Sequence, residues 1–186
     1  AILTKATTYK FYTSKNKNYS DNYYNMNNKI GLFWLRDDFR ITKNHGLIEA
    51  TKNHDQVIVF YLYKEHLYKQ QEAQKWWLGK SLFNFKKQLK NFNINLEIVE
   101  TNSFKIFFDK LFKKKDFSIY WNKVYEPDYL KFDEYLINNL KNKKIHYKRF
   151  KGNALNEIDE IKKNDGTPFK VFTPFWRTAE KYYNEK

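Results

Sequence analysis

The chain has 186 residues, a length that suits one domain with its own hydrophobic core. It contains no cysteine, which excludes disulfides, thiolate metal sites and cysteine nucleophiles, and its four histidines show no metal-ligand spacing. The formal net charge of +14 comes mainly from lysine, which is compatible with a solvated surface as well as with nucleic-acid binding. No apolar run approaches the roughly 20 residues of a membrane span, so we expect a protein without membrane segments. We also expect it to be cytoplasmic and monomeric.

Residues 1–25 show neither helical nor strand periodicity, and they lack the apolar core of a secretory signal. The only methionine of the chain is Met26, which lies directly before the first strand signal. We therefore interpret residues 1–25 as a disordered or non-native leader and expect the native protein to begin at Met26.

Five segments have the β-branched and aromatic composition of strands. The first, Ile30–Leu35, is a continuous apolar run, which favours a strand buried on both faces at the centre of a parallel sheet. The other four are predicted at Gln56–Tyr63, Asn95–Glu100, Phe117–Asn122 and Lys144–Phe150.

Helical signals separate these strands. Helices are predicted near Leu47–Lys52, over Glu72–Asn91, after a capping Ser103, and from Pro127. The longest has an apolar stripe of Leu78, Leu82, Phe85, Leu89 and Phe92, and its adjacent Trp76 and Trp77 cannot both face the sheet. This alternation predicts an α/β fold: one Rossmann-like domain over residues 26–163, with a doubly wound five-stranded parallel sheet in the order 3-2-1-4-5.

The pattern changes after the fifth strand. Pro168 and Pro174 bracket a short segment that we predict to be extended. The aromatic residues in and after it are too dense for a solvated tail. We therefore interpret residues 164–186 as a truncated linker toward a missing domain.

Polar residues follow the first and the fourth strands. Arg36 and Asp38 leave the first, and Asn122 and Glu126 leave the fourth. In the predicted order these two strands meet at the switch point of the sheet, where open α/β sheets bind ligands. The charged residues after the first strand are accordingly either a pocket wall or a buried ionic clamp.

An amide and a carboxylate at this edge could bind the N–H donors of a flat heterocycle, with Tyr125 or Trp121 stacking on it. The purely structural alternative is that Glu126 caps the helix begun at Pro127 or pairs with Arg36. No nucleophile elbow, Walker loop or G-x-G-x-x-G fingerprint is present, so neither a catalytic residue nor a standard dinucleotide site is predicted.

Four separated stretches resemble one family, the DNA photolyases and cryptochromes. Phe33–Arg40 (F-W-L-R-D-D-F-R), with Asn44 downstream, is similar to the opening signature of that family. Gln74–Leu82 resembles its second helix, and Asn122–Asp128 (N-K-V-Y-E-P-D) its Asn–Tyr–Glu motif. Pro168–Arg177 (P-F-K-V-F-T-P-F-W-R) resembles the linker that leaves the first domain.

The resemblance implies that this is the N-terminal domain of a deoxyribodipyrimidine photolyase, which holds an antenna chromophore, either a reduced folate or a deazaflavin. The antenna passes excitation energy to FAD in a C-terminal helical domain, and that domain repairs damaged DNA. Glu126 matches the glutamate that contacts the folate, Asn122 lies in the same motif, and Arg36 and Asp38 match the charged strand exit. The chain as given lacks the FAD domain, so we do not expect it to repair DNA alone.

Two alternatives stay open. One is the same domain of a cryptochrome-type photoreceptor. The other is a freestanding nucleotide-binding α/β module, which predicts a glycine-rich phosphate loop that this sequence lacks. The departures from the family pattern are Leu35 and Asp37, where Phe and Arg or Gln are usual, and Lys43, where Asp is frequent.

Overall fold

A five-stranded parallel sheet forms the centre of the fold in the computed structural model, which describes residues 30–64, 71–114, 116–152, 154, 157 and 160–184. The strands are β1 (Ile30–Leu35), β2 (Val57–Tyr63), β3 (Asn95–Glu100), β4 (Phe117–Asn122) and β5 (Tyr147–Phe150). Their order is β3-β2-β1-β4-β5, and every neighbouring pair is parallel. The predicted fold class, strand number and strand order are confirmed. The predicted leader, residues 1–25, lies outside the described residues.

Helices connect the strands: α1 (His45–Asn53), α2 (Glu72–Lys90), α3 (Phe104–Leu111), α4 (Pro127–Asn142) and, after β5, α5 (Phe172–Asn184). Asn44 caps α1, since its side-chain oxygen accepts a hydrogen bond from the Leu47 N–H at 3.2 Å. Pro127 occupies the first turn of α4, as predicted. Among the described helices, none combines the length and apolar character that crossing a bilayer requires.

Two hydrophobic cores lie on opposite faces of the sheet, and β1 contributes to both. Phe33 and Leu35 pack with residues of α1 and α2, whereas Leu32 and Trp34 pack with residues of α3 and α4. This alternation follows from the two-residue period of a strand. All four side chains are buried, so the prediction that β1 is covered on both faces is confirmed.

Two local predictions were wrong. Phe92 was assigned to the apolar stripe of α2, but that helix ends at Lys90 and the Phe92 side chain is 61% exposed. Ser103 stands at the N-cap of α3 without a side-chain capping bond. Instead, the Thr101 hydroxyl accepts a hydrogen bond from the Ser103 N–H at 3.3 Å, so the preceding threonine satisfies that donor.

The residues between Pro168 and Pro174 were predicted to be extended, but α5 begins at Phe172, so the end of that segment is helical. Pro174 lies in the first turn of α5, where a missing N–H costs no intrahelical hydrogen bond. On this helix Ala179 is fully buried, while Phe172 and Trp176 are exposed. The interpretation of residues 164–186 as an interdomain linker stays a prediction.

Candidate functional site

A cavity of about 490 Å³ opens at the carboxyl edge of the sheet, between the residues that follow β1 and β4. Since β1 and β4 are adjacent, this is the switch point of the sheet, where the predicted site was expected. The four predicted site residues, Arg36, Asp38, Asn122 and Glu126, all line it.

Arg36 is a wall of the cavity and also part of a buried ion pair. Its guanidinium pairs with Asp133 of α4, which is fully buried and also accepts a hydrogen bond from Arg149 at 3.3 Å. The guanidinium carbon lies 4.0 Å from the centre of the Trp34 ring. Burial lowers the pKa of Arg36, and Asp133 opposes that shift. The clamp predicted after β1 therefore exists, but its partner is Asp133 and not Glu126.

Asp133 was not among the predicted site residues, although the sequence contains a signal for it. Asp133 lies four residues after Tyr129 and three before Leu136, which places it on the buried face of α4. A carboxylate on an otherwise apolar helix face requires a buried cationic partner. The sequence does not say which arginine supplies it.

Asp38 is held at the cavity wall by two neighbours. Arg40 binds its carboxylate through two N–H groups, at 2.7 and 2.8 Å. The amide of Asn122 also donates to it, at 3.3 Å. The negative charge of Asp38 is therefore balanced by Arg40 within the protein.

Asn122 connects three segments of the chain. Its side-chain oxygen accepts a hydrogen bond from the Gly46 N–H at 3.1 Å, and its amide nitrogen donates to Asn44 at 2.9 Å as well as to Asp38. An asparagine amide has two N–H donors, and both are engaged. Asn122 thus positions the start of α1 and the exit of β1 and offers no free donor to a ligand.

Two carboxylates of the cavity, Asp37 and Glu126, have no hydrogen bond or ion pair with any described residue. Both side chains are partly exposed at the cavity. Glu126 stands at the N-cap of α4 but makes no capping bond, so the structural alternatives suggested for it are not observed. Burial by the surrounding protein and then the charge of Glu126 raise the pKa of Asp37, while Arg36 opposes this.

Tyr125 supplies an aromatic wall in a fixed orientation. Its hydroxyl donates to Glu157 at 2.9 Å, and Lys123 pairs with the same carboxylate at 2.6 Å. Burial and the hydrogen bond to Glu157 raise the pKa of the Tyr125 phenol. Trp121, the other predicted stacking residue, is fully buried in the α3–α4 core beside Tyr147 and does not line the cavity.

The cavity therefore combines the aromatic ring of Tyr125 with carboxylates that can accept hydrogen bonds. Arg36, Asp38 and Lys123 are each paired within the protein, which leaves Asp37 and Glu126 as the charged groups still available to a ligand. A ligand that fits must present N–H donors to these carboxylates. Asp37 belongs to the charged strand exit predicted to be a pocket wall or an ionic clamp, but it was not among the four predicted site residues.

Comparisons with known proteins agree with this architecture. A family model described as "DNA photolyase" matches residues 31–186. A deoxyribodipyrimidine photo-lyase of Agrobacterium fabrum is 28% identical over 149 residues, covering 80% of this chain and 31% of that protein. Cryptochrome-2 of Arabidopsis thaliana is 26% identical over 152 residues, covering 80% of this chain and 25% of the relative.

A solved structure is similar as well. The crystal structure of a bacterial class III photolyase from Agrobacterium tumefaciens superposes with a TM-score of 0.73 at 26% identity, over 87% of this chain and 33% of that one. The chain thus spans a quarter to a third of the length of these relatives. It belongs to the DNA photolyase family, which includes the cryptochromes, and corresponds to the N-terminal α/β domain of that family.

Proposed function

We propose that this domain is the light-harvesting part of a deoxyribodipyrimidine photolyase and that its antenna chromophore binds in the cavity between β1 and β4. The observation that carries the proposal is the cavity itself: two unpaired carboxylates, Asp37 and Glu126, beside the ring of Tyr125. Its volume of about 490 Å³ falls within the range of small-molecule sites.

The free carboxylates favour a reduced folate over a deazaflavin. The amino-pyrimidinone edge of a pterin presents adjacent N–H donors, which a carboxylate accepts in parallel. The corresponding edge of a deazaflavin places one N–H between two carbonyl oxygens, and those oxygens would face Asp37 and Glu126. Repulsion between acceptors then disfavours the deazaflavin.

Each cavity residue has a distinct part in this proposal. Glu126 and Asp37 accept hydrogen bonds from the heterocycle, and Tyr125 covers one of its faces. Asn122 and Arg36 act indirectly, because the Asn122 amide and the terminal guanidinium nitrogens of Arg36 hold the strand exits in place. The Nε of Arg36 is buried and makes no hydrogen bond with a described residue. When bound, the chromophore absorbs light and passes the excitation energy on.

The rest of the activity belongs to regions outside this chain. We propose that a C-terminal domain binds FAD, accepts the excitation energy and repairs pyrimidine dimers in DNA, in a cytoplasmic, monomeric protein. The relatives are three to four times longer than the matched region, which leaves room for such a domain. The similarity to Cryptochrome-2 supports a blue-light photoreceptor as the second candidate.

The test is a binding titration of the purified chain with tetrahydrofolate and, separately, with riboflavin, which presents the flavin-type edge. We expect weak binding of the folate, since a further domain would complete the cavity, and weaker binding of riboflavin. Replacing Glu126 by Gln removes a charged acceptor and should lower folate affinity about tenfold or more.

Glu134→Gln is the matched control, because Glu134 is an exposed glutamate of α4 that does not line this cavity. Equal losses for both variants, or tighter binding of riboflavin than of the folate, would contradict the proposed site. In a full-length protein, Glu126→Ala should lower antenna occupancy and leave repair by directly excited flavin intact.

A further inference from the structure

The outward face of α2 exposes three large aromatic side chains. Trp76, Trp77 and Phe83 are 60%, 69% and 58% exposed. Single exposed apolar residues are ordinary on protein surfaces, but a group of rings on one helix is typical of an interaction site. The two tryptophans were predicted not to face the sheet together, and in the structure both of them face solvent.

Two of these rings alternate with lysines in a regular row. Trp76, Lys80, Phe83 and Lys87 follow at steps of four, three and four residues, which aligns them along the helix. We name these four residues the outer stripe. The ammonium of Lys80 lies 5.6 Å from the Trp76 ring centre, and that of Lys87 lies 4.7 Å from the Phe83 ring centre. The opposite side of α2 packs in the core through Leu82, Phe85 and Leu89.

Gly79 keeps the surface beside the outer stripe open. A Cβ atom at this position would meet no other atom within 4 Å, so no packing constraint requires a glycine. Inside a helix, glycine is less favourable than alanine. Its effect here is to leave the helix backbone bare between Trp76 and Phe83, where a flat group can approach.

The charge of α2 selects an anionic partner. The helix carries five lysines and one glutamate, and two of the lysines belong to the outer stripe. Exposed cation–π contacts are weak, so both ammonium groups are free to leave the rings for stronger anionic partners.

We propose that the outer stripe of α2 binds single-stranded nucleic acid, with bases stacking on Trp76 and Phe83 and phosphates pairing with Lys80 and Lys87. A single strand offers exposed base faces and one phosphate per nucleotide, and its binding sites combine aromatic rings with positive charge. The two rings are about 10 Å apart along the helix axis, which corresponds to about three stacked nucleotides.

Other anionic surfaces match the stripe less well. A duplex keeps its bases stacked inside and presents only phosphates to a helix of this kind, so the rings would have no partner. A helix that lies on a membrane buries one continuous apolar face, whereas the apolar face of α2 is already packed on the sheet. In the outer stripe a lysine follows each ring, which interrupts any apolar surface.

The experiment measures binding of the full chain to a short fluorescein-labelled oligothymidylate by fluorescence anisotropy over a series of salt concentrations. We expect the double variant Trp76→Ala/Phe83→Ala to lower the affinity at least tenfold, since stacking contributes about 1–3 kcal/mol per base. The double variant Lys80→Gln/Lys87→Gln should reduce the slope of log affinity against log salt by about 1.4, which is two single-strand phosphate contacts.

Lys131→Gln/Lys141→Gln is the control, because it removes the same charge from exposed positions of α4. It should leave the affinity and the slope nearly unchanged. The proposal is overturned if this control lowers the affinity and the slope as much as the stripe lysines do, or if the ring variant binds as tightly as the parent. It is also overturned if a duplex competes as well as the single strand, or if the chain binds phosphatidylserine vesicles and not the oligonucleotide. All replaced side chains are exposed, so circular dichroism should be unchanged in each variant.

Discussion

The N–H of Gly46 donates a hydrogen bond to the side-chain oxygen of Asn122 at 3.1 Å, and this contact joins the start of α1 to the end of β4. A Cβ atom on residue 46 would lie 2.7 Å from that oxygen and 2.7 Å from the Phe33 ring. The first turn of α1 can therefore approach the cavity this closely only because residue 46 is a glycine.

Gly46→Ala should lower the free energy of unfolding by about 1–3 kcal/mol, the usual cost of overpacking a closely packed position. The natural control is Gly79→Ala, where the added methyl group meets no atom within 4 Å. This change should stabilise α2 by about 0.5–1 kcal/mol. Chemical denaturation of both variants measures the difference, and similar effects of the two would refute the close contact at Gly46.

Asp133→Ala should destabilise the fold by about 3–5 kcal/mol, because it leaves the buried guanidinium of Arg36 without its ion-pair partner. Glu134→Ala changes the neighbouring residue, which is exposed, and should cost less than about 0.5 kcal/mol. Urea denaturation curves give both values. A small effect at Asp133 would mean that Arg36 finds another anion or reaches solvent.

Asp37→Asn should stabilise the ligand-free domain at neutral pH. Burial and Glu126 raise the pKa of Asp37 in the folded state, so the folded state binds its proton more tightly than the unfolded chain. Stability then falls as pH rises from the ordinary aspartate range through the raised value. The gain of the variant should be full above that window and vanish below it, which melting temperatures at several pH values would reveal.

Asp165→Asn provides a comparison of opposite sign. Hydrogen bonds from Thr167 lower the pKa of Asp165, so its charge stabilises the fold above the ordinary aspartate range and that contribution is lost as pH falls through the lowered value. The variant should be less stable than the parent at neutral pH, with the gap closing in acid. If both aspartate variants shifted in the same direction at neutral pH, the assigned causes would be wrong.

Gly152→Ala should be severely destabilising and should also disturb the cavity wall. An added Cβ would lie 1.9 Å from the backbone oxygen of Lys123, so the main chain itself must move. Gly166→Ala is the comparison: it meets open space, but its φ of +78° costs about 1–2 kcal/mol for a residue with a side chain. Thermal melts should rank Gly152→Ala well below Gly166→Ala, and the reverse order would contradict the contact with Lys123.

The sequence predicted the sheet well because local composition carries its signal. The run Ile30–Leu35 is apolar throughout, which is typical of a strand that is buried on both faces. Pro127 indicates the first turn of a helix. The predicted strand order is one of the few topologies that right-handed crossovers leave for such a series of elements, and it is the one observed. The four candidate site residues line one cavity because they stand at the ends of β1 and β4, which are adjacent in the sheet.

The sequence could not predict which charged side chains pair with each other in the fold. Arg36 and Asp133 are 97 residues apart, and no local pattern says which of several charged residues will meet. Pro174 was predicted to end an extended segment, although in a first turn proline is compatible with a helix, and only the position of the helix start decides between the two. Likewise, the apolar spacing that includes Phe92 continues past the residue at which α2 ends.

The order of strands in the sheet also sets an order of events during synthesis. β1 pairs with β2 only 26 residues downstream, as Gly31 with Val57, but with β4 at a separation of 87, as Ile30 with Phe117. Contacts between distant parts of a chain form late. A nascent chain on the ribosome can therefore assemble β1, β2 and β3 first, while both walls of the cavity meet only after Glu126 has emerged. Any ligand of this cavity can therefore bind only late in folding, and a chain that ends before β4 would form part of the sheet without the cavity.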